Sequence, residues 1–118
     1  MRIAFVTLPV ADQDRAKQFY VDALGWECTY DEVGPEGRWI DILPPGSDCA
    51  IALVNERRPP TRGIVVQLDD LDAVYADCAG RGVPFVSPPV ASEIGTFATF
   101  DDPDGNGWVF MQHPTTSS

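Results

Sequence analysis

An α+β fold made of two tandem βαβββ modules is the architecture this sequence predicts, and three observations predict it. The 118-residue chain repeats itself: Val10-Ala11-Asp12 and Leu68-Asp69-Asp70 each open a helical stretch, one ending at Gly25 and the other at Gly82, anchors 57 to 58 residues apart. Within the two stretches Ala16, Phe19, Tyr20, Ala23 and Leu24, then Leu71, Val74, Tyr75, Cys78 and Ala79, recur at helical spacing and give each helix one apolar face. Each helix is preceded by one strand candidate and followed by three.

Taken in order, Ile3 to Val10 is rich in the β-branched and apolar residues that suit a pleated surface. Asp12 then stands where an N-cap accepts free backbone N–H groups, and Gly25 supplies the left-handed residue that ends a helix at low cost. Strands are expected at Glu27 to Glu32, Trp39 to Leu43 and Ala50 to Val54, with turns at Gly34-Pro35-Glu36-Gly37 and Pro44-Pro45-Gly46. Module 1 is therefore placed at 1–56. Arg57-Arg58-Pro59-Pro60-Thr61-Arg62 is a stiff linker at 57–62. Module 2, at 63–113, repeats the plan: a strand at Ile64 to Leu68, the Asp70 cap, a helix ending at Gly82, and strands at Pro84 to Ser87, Phe97 to Phe100 and Trp108 to Gln112. Pro88-Pro89 and Asp102-Pro103-Asp104-Gly105-Asn106-Gly107 mark its loops, and 114–118 is a frayed tail.

Composition narrows the function. With 44% hydrophobic residues the chain has enough apolar material for one core, and at this length folding removes about two-thirds of the unfolded surface from water. The net charge of -10, from 18 Asp plus Glu against 8 Lys plus Arg, repels nucleic acid and anionic lipid, so neither is an expected partner. Cys28, Cys49 and Cys78 form no C-x-x-C pair, which speaks against a disulfide framework and a zinc knuckle. No apolar run approaches 18 residues, and Met1-Arg2-Ile3 leads directly into a strand pattern. The expected compartment is the cytoplasm.

Leu8-Pro9-Val10-Ala11-Asp12 leading to Phe19-Tyr20, then Leu24-Gly25-Trp26, and later Asp102-Pro103-Asp104-Gly105-Asn106-Gly107-Trp108, resemble the vicinal oxygen chelate superfamily of glyoxalase I, bleomycin-resistance proteins and extradiol dioxygenases. The resemblance covers about residues 3 to 113. It implies the glyoxalase-like fold, in which each module's sheet curls into a half-open cup, and a homodimer. In the enzymes of that superfamily one divalent metal is held by side chains from the first and last strands of each module. Carried over position by position, those ligands fall on Phe5, Ile51, Gly63 and Val109, and the 58-residue offset of the repeat relates Phe5 to Gly63 and Ile51 to Val109. None carries a donor atom, and a shift by two to Thr7, Leu53, Val65 and Met111 offers hardly better ligands. His113, the single histidine, lies beyond the last strand. No metal and no cofactor is therefore expected.

Strand parity sorts the remaining residues. Ala4, Val6 and Leu8, then Ile64, Val66 and Leu68, with Ile40, Ile42, Trp108 and Phe110, are expected to face the helices. Phe5, Thr7, Trp39, Asp41, Gln67, Thr99, Val109 and Met111 are then the candidate ligand-binding residues of the cup, a mainly apolar lining with a few polar groups that suits a small organic ligand, cationic or aromatic. Phe5 and Met111 could equally fill a closed cup. Trp39 could cover a seam between modules. Asp41 is expected to have an arginine partner, the alternative being contact with a cationic ligand or a moving proton. Glu93, in the 88–96 stretch expected to overhang the cup, is the other candidate acid or base. The leading reading is a metal-independent small-molecule binding protein. The alternatives are a lyase, isomerase or dioxygenase, with a divalent metal or a cofactorless acid/base site at Asp41 or Glu93, and a pure interaction module whose cup is filled by its own side chains. The Asp101-Asp102-Pro103-Asp104 run lacks the ligand spread of a calcium loop and is expected to be a turn.

Overall fold

The computed structural model describes residues 1–114, so most of the expected tail lies outside the described residues. It contains two four-stranded mixed sheets and two helices. β1 (Phe5–Pro9) is followed by α1 (Gln13–Gln18), which passes into a π-helical stretch at Phe19–Ala23. β2 (Glu27–Gly34), β3 (Gly37–Leu43) and β4 (Ala50–Val54) complete the first sheet in the order β1-β4-β3-β2, with β1 parallel to β4 and the other pairs antiparallel. β5 (Arg62–Gln67), α2 (Leu71–Gly80), β6 (Phe85–Ser92), β7 (Gly95–Asp101) and β8 (Gly107–Gln112) repeat the plan in the order β5-β8-β7-β6. The duplicated βαβββ unit read from the sequence is therefore the fold, and neither sheet closes on itself.

Both helices begin as their sequences require. The Asp12 carboxylate accepts the Arg15 N–H at 3.0 Å and that of Asp70 accepts the Ala73 N–H at 3.1 Å, each satisfying a backbone donor that the helix cannot. Gly25 and Gly82 have φ of 75° and 97°, the left-handed conformation that a side chain would disfavour. α1 is pinned to the first sheet by ions: Arg38 of β3 donates to Asp31 of β2 at 2.8 Å and to Asp14 at 2.7 Å, while Lys17 reaches Asp31 at 2.8 Å. These hydrogen bonds, from Arg38 first and then Lys17, hold the Asp31 carboxyl well below the usual carboxylate range.

The helix-side faces of both sheets meet in one core. Leu8, Ile40, Ile42, Ile51 and Leu53 from the first sheet join Ala98, Phe100, Trp108 and Phe110 from the second, with Ala16, Tyr20, Leu24, Trp26, Leu71 and Cys78 from the helical segments. Tyr20, Trp26 and Trp108 pack ring to ring at 5.1 to 5.8 Å between centroids, which binds the two halves through large apolar surfaces.

Three expectations are corrected. Ala4 lies outside β1 and is exposed, and Ala79 of α2 is exposed too. The 88–96 stretch is no overhanging loop: β6 runs on through Pro88-Pro89 to Ser92 and turns at Glu93-Ile94 into β7. β6 is an edge strand whose register slips between Ser87 and Val90, and an edge with a bulge tolerates prolines that donate no hydrogen bond.

Candidate functional site

Each sheet keeps one face away from the core, and register assigns its residues. On the first sheet Phe5 pairs with Ala50, Thr7 with Ala52, Ala52 with Asp41, Asp41 with Tyr30, and Trp39 with Glu32, so these side chains share the open face. Phe5 and Trp39 meet edge to face at 5.3 Å between centroids, and Ala52 between their strands is wholly covered. Phe5 is nonetheless 48% exposed. The Trp39 indole N–H donates to Asp41 Oδ1 at 2.7 Å. Thr7 Oγ1 accepts from Arg58 Nη2 at 2.9 Å, and Arg58 is itself held by Glu56.

Asp41 therefore has a neutral indole as its partner, where an arginine was expected; among the described residues no cation forms an ion pair with it. Trp39 covers no seam between modules but lies against Phe5 on the open face.

On the second sheet Val65 pairs with Val109, Val109 with Thr99, Thr99 with Ser87, Gln67 with Met111, Met111 with Phe97, and Phe97 with Val90. A hollow of about 240 Å³ at one end of this face is lined by Arg62, Gly63, Val86, Thr99, Asp101 and Val109. Val65 and Val90 are 51% and 56% exposed. Since both helix-side faces turn into the shared core, the two sets of candidate residues line separate outward faces. Within this chain, Phe5, Thr7, Trp39 and Asp41 are brought together on one, and Gln67, Thr99, Val109 and Met111 on the other. Phe97 and Val90 belong to the second set and Tyr30, Ala50 and Ala52 to the first. The alternation Phe97-Ala98-Thr99-Phe100 carried the signal for Phe97, which shares its parity with Thr99.

Glu93 is exposed in the two-residue turn between β6 and β7, at the end of a hairpin and outside both sets. The Asp102–Asn106 connection is a buried polar network. Asp102 Oδ1 accepts the backbone N–H groups of Asp104 and Asn106, and Oδ2 accepts from Tyr20 Oη at 2.7 Å and from Asn106 Nδ2 at 2.8 Å. Asn106 reaches on to the Pro9 carbonyl and accepts from the Thr61 N–H, and Trp108 Nε1 donates to Tyr20 Oη. All four carboxylate contacts come from the protein's own donors, and the segment ties β1, α1 and the linker to the second sheet. Burial, and then the Asp102 charge, push the Tyr20 phenol well above its ordinary range.

A protein-family model described as the Glyoxalase/Bleomycin resistance protein/Dioxygenase superfamily matches residues 2–110. The chain belongs to that superfamily. The uncharacterized protein YetH of Bacillus subtilis (strain 168) is 32% identical over 117 residues, covering 94% of this chain and 98% of YetH. The crystal structure of TnmS3, described as an antibiotic binding protein from Streptomyces sp. CB03234, superposes with a TM-score of 0.89 at 36% identity, covering 97% of both chains. A glyoxalase/bleomycin resistance protein from the same Streptomyces strain gives a TM-score of 0.84 at 37% identity over 94% of this chain and 100% of its own.

The divalent metal of the superfamily's enzymes does not fit the residues present. The register corrects one of the four carried-over positions: Ile51 is buried on the helix-side face, as is Leu53 of the shifted set, and Ala52 is the β4 residue that shares the open face with Thr7. Phe5, Ala52, Gly63 and Val109 still offer no nitrogen, oxygen or sulfur side-chain donor. Among the described residues no group of three His, Cys, Asp or Glu could hold a metal ion. His113 is exposed after β8, and burial pushes the Cys78 thiol up, away from nucleophilic use. Among the described residues no helix is long and apolar enough to cross a membrane.

Proposed function

We propose that this chain binds and sequesters a small organic molecule without a metal, as a homodimer whose ligand site forms where the open face of one sheet meets that of a second copy. The observation that carries the reading is the edge-to-face pair of half-exposed Phe5 and partly buried Trp39 beside Ala52, on a face whose carried-over superfamily ligand positions hold only hydrocarbon. A partly exposed aromatic pair next to a few polar groups is what a flat organic ligand uses for burial and orientation. Half-exposed Val65 and Val90 on the second sheet give the other wall, and apolar faces left open in one chain favour cover by another. The antibiotic-binding description of TnmS3, which is similar over nearly the whole chain, supports a ligand of antibiotic type. Asp41 and Glu93 act on no bond in this reading.

Light scattering, elemental analysis and isothermal titration against a panel of polycyclic aromatic antibiotics test it. A dimer, saturable binding unaffected by EDTA, and loss of that binding in Trp39→Ala with the dimer retained are expected. A stoichiometric metal in protein purified without chelator, or a monomer that binds nothing in the panel, refutes it.

A further inference from the structure

We infer that the ligand carries a protonated amine and that Asp41 receives it, with Trp39 as the residue that positions the carboxylate; this rests on the small-molecule reading above and names the chemistry of that site. Asp41 is partly buried beside aromatic rings, and a carboxylate partly withdrawn from water gains from a cation at hand, usually an arginine or lysine. Asp41 has none among the described residues. The cations bonded to other residues of this sheet are committed there: Arg58 to Thr7 and to Glu56, Arg38 and Lys17 to Asp31. What Asp41 has is one indole N–H at 2.7 Å on Oδ1, a neutral donor that fixes the carboxylate's orientation without cancelling its charge. No described residue donates to Oδ2.

The surroundings favour the same ligand. The π faces of Phe5 and Trp39 attract cations as well as flat rings, so one molecule can lay its rings on the pair and extend an ammonium group to Asp41. The residue at the equivalent position of the second sheet, Thr99, is uncharged, and Arg62, the cation that lines the hollow beside it, is paired with Asp101. The chain's net charge of -10 adds long-range attraction for a cation, a weaker effect that salt removes.

Three acridines of nearly one shape serve as probes: cationic 9-aminoacridine, neutral acridone and anionic acridine-9-carboxylate, followed by fluorescence titration on the dimer in 0.15 M salt. The expected result is 9-aminoacridine binding about tenfold or more tighter than acridone, the size of one charge-assisted hydrogen bond, with the carboxylate weakest. Asp41→Asn is expected to bring the ratio of the 9-aminoacridine and acridone affinities close to one. Trp39→Phe keeps an aromatic ring but removes the N–H, and is expected to lower the ratio of the two affinities about threefold, whatever it does to acridone affinity itself. Asp22→Asn, which removes one exposed charge elsewhere, is expected to change nothing. If acridone and 9-aminoacridine bind equally well, or the preference survives Asp41→Asn, the amine inference falls and the aromatic site stands. A weaker dimer in Asp41→Asn with the preference intact would also overturn it, by assigning Asp41 to a cation of the second copy. If no acridine binds the wild type, the site and the inference fall together.

Discussion

Asp102→Asn is the substitution whose cost follows most directly from the structure. It exchanges one carboxylate oxygen for an NH2 group in a side chain that now accepts four hydrogen bonds, two on each oxygen, at 2.7 to 2.9 Å. Whichever way the amide turns, two of the four donors lose their acceptor and face another donor. With the amide nitrogen toward Tyr20 and Asn106 the hydroxyl cannot simply rotate away, because Tyr20 Oη already accepts from Trp108 Nε1 at 2.9 Å. Hydrogen bonds to a charged acceptor contribute about 1.5–3 kcal/mol each, so with two lost the expected loss is about 3–6 kcal/mol. A domain of this size is stable by about 5–15 kcal/mol, which makes the loss a fifth or more of the total. Urea unfolding followed by tryptophan fluorescence and far-UV circular dichroism measures it, since Trp26 and Trp108 lie in the same core. Calcium should not raise the wild-type midpoint, because the Asp102 oxygens are already filled. A loss below about 1 kcal/mol with an unchanged m-value would refute the view that this turn binds the two halves together.

The remaining predictions concern pH, backbone and the open face. Tyr20 is pushed above its unfolded value of about 10, so its contribution to stability is complete below pH 10 and is lost as pH rises beyond it. Urea midpoints from pH 8 to 11 should fall more steeply in wild type than in Tyr20→Phe, whose starting stability is lower by about 1–3 kcal/mol from unpaired Asp102 and Trp108. Gly95→Ala should cost about 1–3 kcal/mol by thermal melting, because Gly95 has φ of 141° and a Cβ there would lie 2.6 Å from the Gln112 carbonyl oxygen. Ala52→Leu should displace the Phe5–Trp39 pair, costing about 1–3 kcal/mol and abolishing acridone binding in a chain that still folds; unchanged binding would show that the pair is not the ligand's seat.

Much of the fold was legible because its signals are local. The Asp12 and Asp70 caps, the glycines that end the helices and the strict alternation of Ile40 and Ile42 with Trp39 and Asp41 each follow from the geometry of a single turn or strand. β6 was misread past Ser87 because prolines normally end strands, and its tolerance for them depends on a tertiary fact, its place at the sheet edge. The Asp41 partner was misjudged for a similar reason. A carboxylate was expected to take a cation from elsewhere in the chain, whereas the indole two residues away on the same face reached it first.

The slip at Ile51 shows why the site is harder to read than the scaffold. Asp41 and Thr99 are equivalent across the repeat at an offset of 58, but their β4 and β8 neighbours, Ala52 and Val109, differ by 57. The missing residue lies in the last connection, six residues from Pro44 to Cys49 in the first half and five from Asp102 to Asn106 in the second. A loop absorbs one residue at almost no cost, so nothing in composition or hydrophobic pattern marks the change. In a strand the same single residue exchanges the two faces, moving an assigned position from the open face to the core. Burial resolves the ambiguity: Ile51 and Leu53 fit the helix-side core, which leaves Ala50, Ala52 and Val54 on the open face, with small Ala50 and Ala52 beside the Phe5–Trp39 pair. The aromatic surface that the proposed ligand uses thus depends on β4 presenting alanine on its open face.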